Sequence, residues 1–146
     1  MKTNLIKLFS IFVSICFSQN EYQGDSAFEA EFNKVAKTYQ DAYMNANCEV
    51  IIPYLDENLV IYENGEHWPY AKLVEYCPHL PVKPVINTDR SYKILSKELV
   101  YEFVSQTYQS KSGKTFNETQ ALIWEFKNKT WKIINYDVSR YTIKSK

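Results

Sequence analysis

Thr119-Gln-Ala-Leu-Ile-Trp124-Glu-Phe-Lys-Asn-Lys-Thr-Trp131-Lys-Ile-Ile-Asn-Tyr-Asp137-Val-Ser139 reads as two strands joined by a polar turn at Lys127–Lys129. Successive side chains of a strand point to opposite faces. Trp131, Ile133, Asn135, Asp137 and Ser139 are therefore expected on one face of the second strand, with Ile134, Tyr136 and Val138 on the other. Both faces are partly apolar, which implies a sheet covered on two sides, by helices on one and by a partner subunit on the other.

Moving back from this hairpin, Val85–Leu95, Glu98–Ser110 and Phe116–Phe126 read as three strands, followed by Thr130–Tyr141 as the last. Pro78, Pro81 and Pro84 make an extended linker before them. Asn64-Gly65 favours a tight two-residue turn, because both residues tolerate positive φ. It predicts a small hairpin of Leu59–Tyr62 and Glu66–Trp68, with Pro69 opening a helix that carries Tyr70, Leu73, Val74 and Cys77. Cys48–Leu55 reads as a short helical turn. Upstream, Phe28, Phe32, Val35, Ala36, Tyr39, Ala42, Tyr43 and Ala46 recur at helical spacing, and Ser26 with Glu29 forms a capping-box pattern. One long amphipathic helix ending at Asn45–Asn47 follows.

This order is helix, short helix, hairpin, helix, then four long strands. With the closing hairpin quoted above, it resembles the nuclear transport factor 2-like fold over about residues 26–141. The resemblance implies an α+β domain in which a curved, mostly antiparallel sheet wraps a long helix to form a cone. The same fold serves isomerases, polyketide cyclases, dehydratases and non-enzymatic binding domains, so fold alone does not assign function. The family's frequent tail histidines are replaced here by Asn135 and Asp137.

The start of the chain points to export. Lys2 and Lys7 precede a run of mostly apolar residues from Leu8 to Phe17, and Cys16 and Ser18 are small residues placed for cleavage before Gln19. The run is shorter than the roughly 20 residues of a spanning helix, and Ile15 is an unusual neighbour for a lipidated Cys16. The expected division is a signal peptide over 1–18, a leader over 19–25, a domain over 26–141 and a tail over 142–146. The expected location is periplasmic or extracellular, with no membrane attachment after cleavage. Without Lys2 and Lys7 the chain keeps 15 Lys and Arg against 17 Asp and Glu, a formal charge of −2. Two arginines and no basic patch argue against nucleic acid as a partner. Three glycines leave no Gly-rich phosphate loop, so no cofactor is expected.

Cys48 and Cys77 remain after cleavage, as a disulfide in an oxidising compartment or as two buried thiols. Without matching His ligands they do not suggest zinc. Asn117-Glu-Thr119 and Asn128-Lys-Thr130 match the glycosylation pattern by chance in what reads as a bacterial chain.

A cone lined by aromatic side chains suits a small apolar or mixed ligand. Asp137 is the first candidate base, or else a rim carboxylate paired with Arg140 or a lysine. His67 is the second, or else an exposed hairpin residue. Asn135, Tyr39, Tyr43, Tyr101 and Trp131 are candidate ligand contacts. His79 reads as structural, and the faces of Tyr101 and Glu118 depend on a register that one residue of error reverses. The leading expectation is ligand binding in the cone. Isomerase-, dehydratase- or cyclase-type acid–base chemistry, or partner binding through Ile134, Tyr136 and Val138, are the alternatives. A homodimer through the outer sheet face is expected.

Overall fold

The computed structural model describes residues 26–143. The expected signal peptide, the leader and the end of the tail lie outside the described residues. Helix α1 spans Ser26–Met44. It ends as its sequence suggests, in the asparagine-rich stretch, through a two-bond cap. The amide of Ala46 donates to Tyr43 O and that of Asn47 to Ala42 O, while Ala46 takes φ of 54°. This satisfies carbonyls the last turn leaves open.

A short helix α2 (Cys48–Ile51) runs through a 3₁₀ turn at Ile52–Tyr54 into β1 (Leu55–Glu63). Asn64 and Gly65, both at positive φ, turn the chain into β2 (Glu66–Trp68). Helix α3 (Tyr70–Tyr76) and a 3₁₀ turn at Cys77–His79 follow. Strands β3 (Val85–Ile94), β4 (Leu99–Gln109), β5 (Thr115–Lys127) and β6 (Thr130–Thr142) complete one sheet of order β2-β1-β6-β5-β4-β3. All neighbours are antiparallel except β1 and β6, which run parallel.

Helix α1 packs on the concave face of the sheet. Phe32 meets Trp124 and Trp131 edge-on, Tyr39 meets Trp124, and Tyr43 meets Tyr136. Such aromatic pairs add about 0.5–1.5 kcal/mol each beyond area burial. Cys48 and Cys77 are joined by a disulfide with Cα atoms 5.8 Å apart, tying α2 to the turn after α3. No helix among the described residues is long and apolar enough to cross a membrane.

The expected face assignment of β6 holds only for its first half. Ile123 pairs with Asn135 and Trp124 with Ile133, so Ile134 is an extra residue in the β5–β6 ladder. This β-bulge reverses the alternation beyond it. Trp131 and Ile133 point into the core, and so do Tyr136 and Val138, all four being buried. Asn135, Asp137 and Ser139 are turned to the outer face. The expected partner surface of Ile134, Tyr136 and Val138 is therefore corrected: Tyr136 and Val138 belong to the core. The outer face carries Val60, Tyr62, Tyr101 and Phe103 instead.

Candidate functional site

The concave face is not uniformly apolar. In register across three strands stand Gln106 on β4, Glu118 on β5 and Arg140 on β6. Glu118 is fully buried and organises the group. Lys83 Nζ, from the proline-bounded linker, donates to both its oxygens at 3.0 and 2.8 Å. Arg140 Nε and Nη2 each lie 2.7 Å from Glu118 Oε2. Gln106 and Gln120 donate to Oε1 at 3.2 and 2.9 Å. Arg140 also pairs with Glu63 at 3.2 Å.

A second buried carboxylate, Glu102, accepts from Trp124 Nε1 at 2.7 Å and pairs with Arg90 Nε. Arg90 Nη1 in turn donates to Asn33 Oδ1 at 3.0 Å. Burying a carboxylate is costly unless its charge and lone pairs are answered, and here both are.

These surroundings shift the titrations. Burial pushes Lys83 down to about 8, a shift Glu118 opposes and Arg140 reinforces. Burial alone would raise Glu118, but the charges of Lys83 and Arg140 and the hydrogen bonds from Lys83 and Gln120 outweigh it and hold the carboxyl low. Desolvation raises Tyr39, Tyr43 and Tyr136 far above the usual phenol range, and Tyr108 to about 12. Tyr43 accepts a hydrogen bond from Lys83 at 2.8 Å and lies beneath its ammonium group.

The carboxylate also fixes how the glutamines point. An ionised Glu118 only accepts, so Gln120 must turn its NH₂ toward it. Gln120 Oε1 then faces Gln40 and takes a hydrogen bond from Gln40 Nε2 at 2.9 Å. Gln40 Oε1 is left over, buried and without a partner.

The open space lies above this layer. A cleft of about 840 Å³ runs between α1, the linker and β3. Polar Gln40, Lys83, Arg90 and Gln106 line it together with apolar Met44, Val82 and Val85. Its helix side is drawn from Asn33, Lys37, Gln40, Asp41 and Met44, one face of α1.

The residues singled out from sequence fall elsewhere. Asp137 is exposed on the outer face, because of the bulge. His67 is exposed too, and pairs across β2–β1 with Tyr62, which itself pairs with Asp137. The two candidate bases thus sit two strands apart, on the order of 10 Å, and outside the cone. No substrate in the cone reaches either, and acid–base chemistry through this pair is withdrawn. Tyr101 and Asn135 are likewise on the outer face. Tyr39, Tyr43 and Trp131 do face inward, but as buried packing residues that do not line the cleft. His79 is exposed at the end of its turn.

The sequence reading missed Gln40, Lys83, Arg90, Glu102, Gln106 and Gln120. A signal was present: Gln40 interrupts the apolar stripe of α1 four residues after Ala36. Glu102 and Gln106 alternate with Val100, Val104 and Tyr108 on one face of β4. Among the described residues, no cluster of three or more His, Cys, Asp or Glu could hold a metal ion.

No protein-family model and no curated protein matches the chain. Solved structures do, and the chain has the nuclear transport factor 2-like (NTF2-like) fold. An NTF2-like protein of unknown function from Pseudomonas putida KT2440 is 11% identical, with a TM-score of 0.66 over 80% of this chain and 89% of that one. Another from Shewanella oneidensis MR-1 is 13% identical, with a TM-score of 0.63 over 76% and 98%. A cystatin-like fold protein from Burkholderia xenovorans LB400 is 14% identical, with a TM-score of 0.63 over 82% and 96%. At these identities the likeness concerns the fold.

Proposed function

We propose that this domain is a small-molecule binding protein whose site is the cleft between α1 and β3. The observation that carries this reading is the cleft itself: about 840 Å³, lined both by apolar side chains and by members of the hydrogen-bonded polar layer. That combination of apolar contact with a few oriented polar groups is what ligand pockets provide. The deep cone beyond it is filled by Tyr39, Tyr43, Trp124 and Tyr136, so the ligand sits at the mouth and is no larger than the cleft. Non-denaturing mass spectrometry of protein from its native host is expected to show a bound small molecule. Val82→Trp, at an exposed position on the cleft wall, is expected to lose it while keeping the thermal melt of the parent. Retention of the mass by Val82→Trp would place the ligand elsewhere.

A second reading is a homodimer through the outer sheet face, favoured by Val60, Tyr62, Tyr101 and Phe103, each about 40% exposed on that one surface. They form two apolar pairs, on β1 and β4, with Asn135 and Asp137 of β6 between them, and exposed apolar surface marks interaction sites. Sedimentation equilibrium should give a dimer that Tyr101→Lys with Phe103→Glu converts to monomer. Export is proposed on the same footing: a disulfide between Cys48 and Cys77 suits an oxidising compartment. Cell fractionation would test it.

A further inference from the structure

Six buried side-chain polar atoms among the described residues lack a hydrogen-bond partner, and two of them belong to residues lining the cleft: Gln40 Oε1 and Arg90 Nη2. Gln40 is 8% exposed. Its oxygen is an acceptor because the chain of amides from Glu118 through Gln120 consumes its NH₂ group. Arg90 spends Nε on Glu102 and Nη1 on Asn33, which leaves Nη2 as a donor. Buried polar atoms are rarely left unpaired, so an acceptor and a donor stand unanswered on two residues that line the cleft.

Charge decides what can answer them. In the cleft and the layer beneath it, the cations Lys37, Lys83, Arg90 and Arg140 are matched by Asp41, Glu63, Glu102 and Glu118 through direct ion pairs. An anion buried here would have no uncommitted counter-charge, and burying an unpaired charge is strongly unfavourable. The remaining wall, with Met44, Val82 and Val85, offers apolar contact. Gln40 Oε1 and Arg90 Nη2 are themselves covered, so a ligand in the cleft meets them as the neighbouring side chains give way.

Resting on the binding reading above, the geometry points to an uncharged amphipathic ligand: a carbonyl-type acceptor for Arg90 Nη2, a hydroxyl or amide donor for Gln40 Oε1, and an apolar body against Met44, Val82 and Val85. Carboxylates and phosphates are the ligands it excludes.

Four probes of one skeleton test this by ligand-detected NMR titration of the wild-type protein. They are methyl δ-hydroxybutyl ketone, methyl butyl ketone without the hydroxyl, hexanol without the carbonyl, and γ-acetylbutyrate with a carboxylate in place of the hydroxymethyl group. The hydroxyketone should bind about three- to tenfold more tightly than either truncated probe, the range of one hydrogen bond, and γ-acetylbutyrate should bind weakest. Gln40→Met should erase the advantage of the hydroxyketone over methyl butyl ketone and leave the latter unchanged. If that variant does not fold, the wild-type ranking decides. A ranking with γ-acetylbutyrate first, or with the ketone equal to the hydroxyketone, overturns the ligand class and leaves the cleft a binding site. If none of the four binds and native protein carries no small molecule, both readings fall.

Discussion

Ala46 and Lys129 hold the left-handed backbone conformation, at φ of 54° and 62°, without being glycine. An L-residue with a Cβ is strained there by about 1–2 kcal/mol. Ala46 does so because the cap of α1 requires it, and Lys129 because it shares the two-residue β5–β6 turn with Asn128. Glycine relieves the strain but gives the unfolded chain more freedom, so Ala46→Gly and Lys129→Gly should each stabilise by about 0.5–1 kcal/mol. Urea denaturation with unchanged slope would register it, and a loss of stability at either site would contradict the turn geometry. Glu118 is the opposite case, a residue whose neighbours depend on it. Glu118→Leu leaves Lys83 buried with no carboxylate and Arg140 with Glu63 alone. Removing one partner of a buried ion pair costs about 3–5 kcal/mol. The same measurement should show a loss of that size, well beyond the effect of replacing an exposed glutamate such as Glu57.

At the scale of elements, the Asn64-Gly65 turn, the long amphipathic helix and the four final strands were legible, because each rests on local chemistry: positive φ, a helical apolar stripe, alternation. What could not be read was parity. Ile134 adds one residue to β6 opposite a regular β5, and nothing in Trp131-Lys-Ile-Ile-Asn-Tyr-Asp137 marks which residue bulges. The consequence was to aim Asp137 inward and Tyr136 outward, the reverse of the structure. Glu118 went unplaced because the sequence leaves the inward face of its strand open, whereas Glu102 was missed although its alternation with Val100, Val104 and Tyr108 marked it. Deleting Ile134 tests this account. With the extra residue gone, Ile133 and Asn135 become neighbours opposite Trp124 and Ile123, so Asp137 stays outside, Arg140 stays beside Glu118, and cooperative thermal unfolding is expected to persist; its loss would mean that the bulge does more than set the faces. The disulfide acts on elements too. It joins α2 to the turn after α3 across a separation of 29 residues. Loop-closure entropy makes Cys48→Ser with Cys77→Ser about 3–4 kcal/mol less stable than the oxidised parent, as chemical denaturation with and without reductant would show.

For the molecule as a whole, the buried charges and phenols set how stability varies with pH. Glu118 titrates lower in the folded chain than its ordinary 4.5. Its contribution is present above that value and is lost as pH falls through the folded pKa. Lys83 titrates at about 8 when folded against an ordinary 10.5. Between those values the unfolded chain binds the proton that the folded one has released, so stability rises with pH. Tyr39, Tyr43, Tyr108 and Tyr136 titrate above their ordinary 10.0. Their contribution is complete below that pH and is lost above it, where four phenols outweigh one lysine. Tm should therefore peak between about pH 9 and 10, above the pH 5–8 region usual for proteins. Lys83→Met separates the causes. It removes the group responsible for the rise above pH 8, keeps the alkaline loss and weakens the acid loss, because Lys83 helps hold Glu118 low, so its Tm should be flat from about pH 8 to 9 where the parent's climbs. Parallel curves for the two proteins across that window would show that burial of Lys83 does not govern the profile.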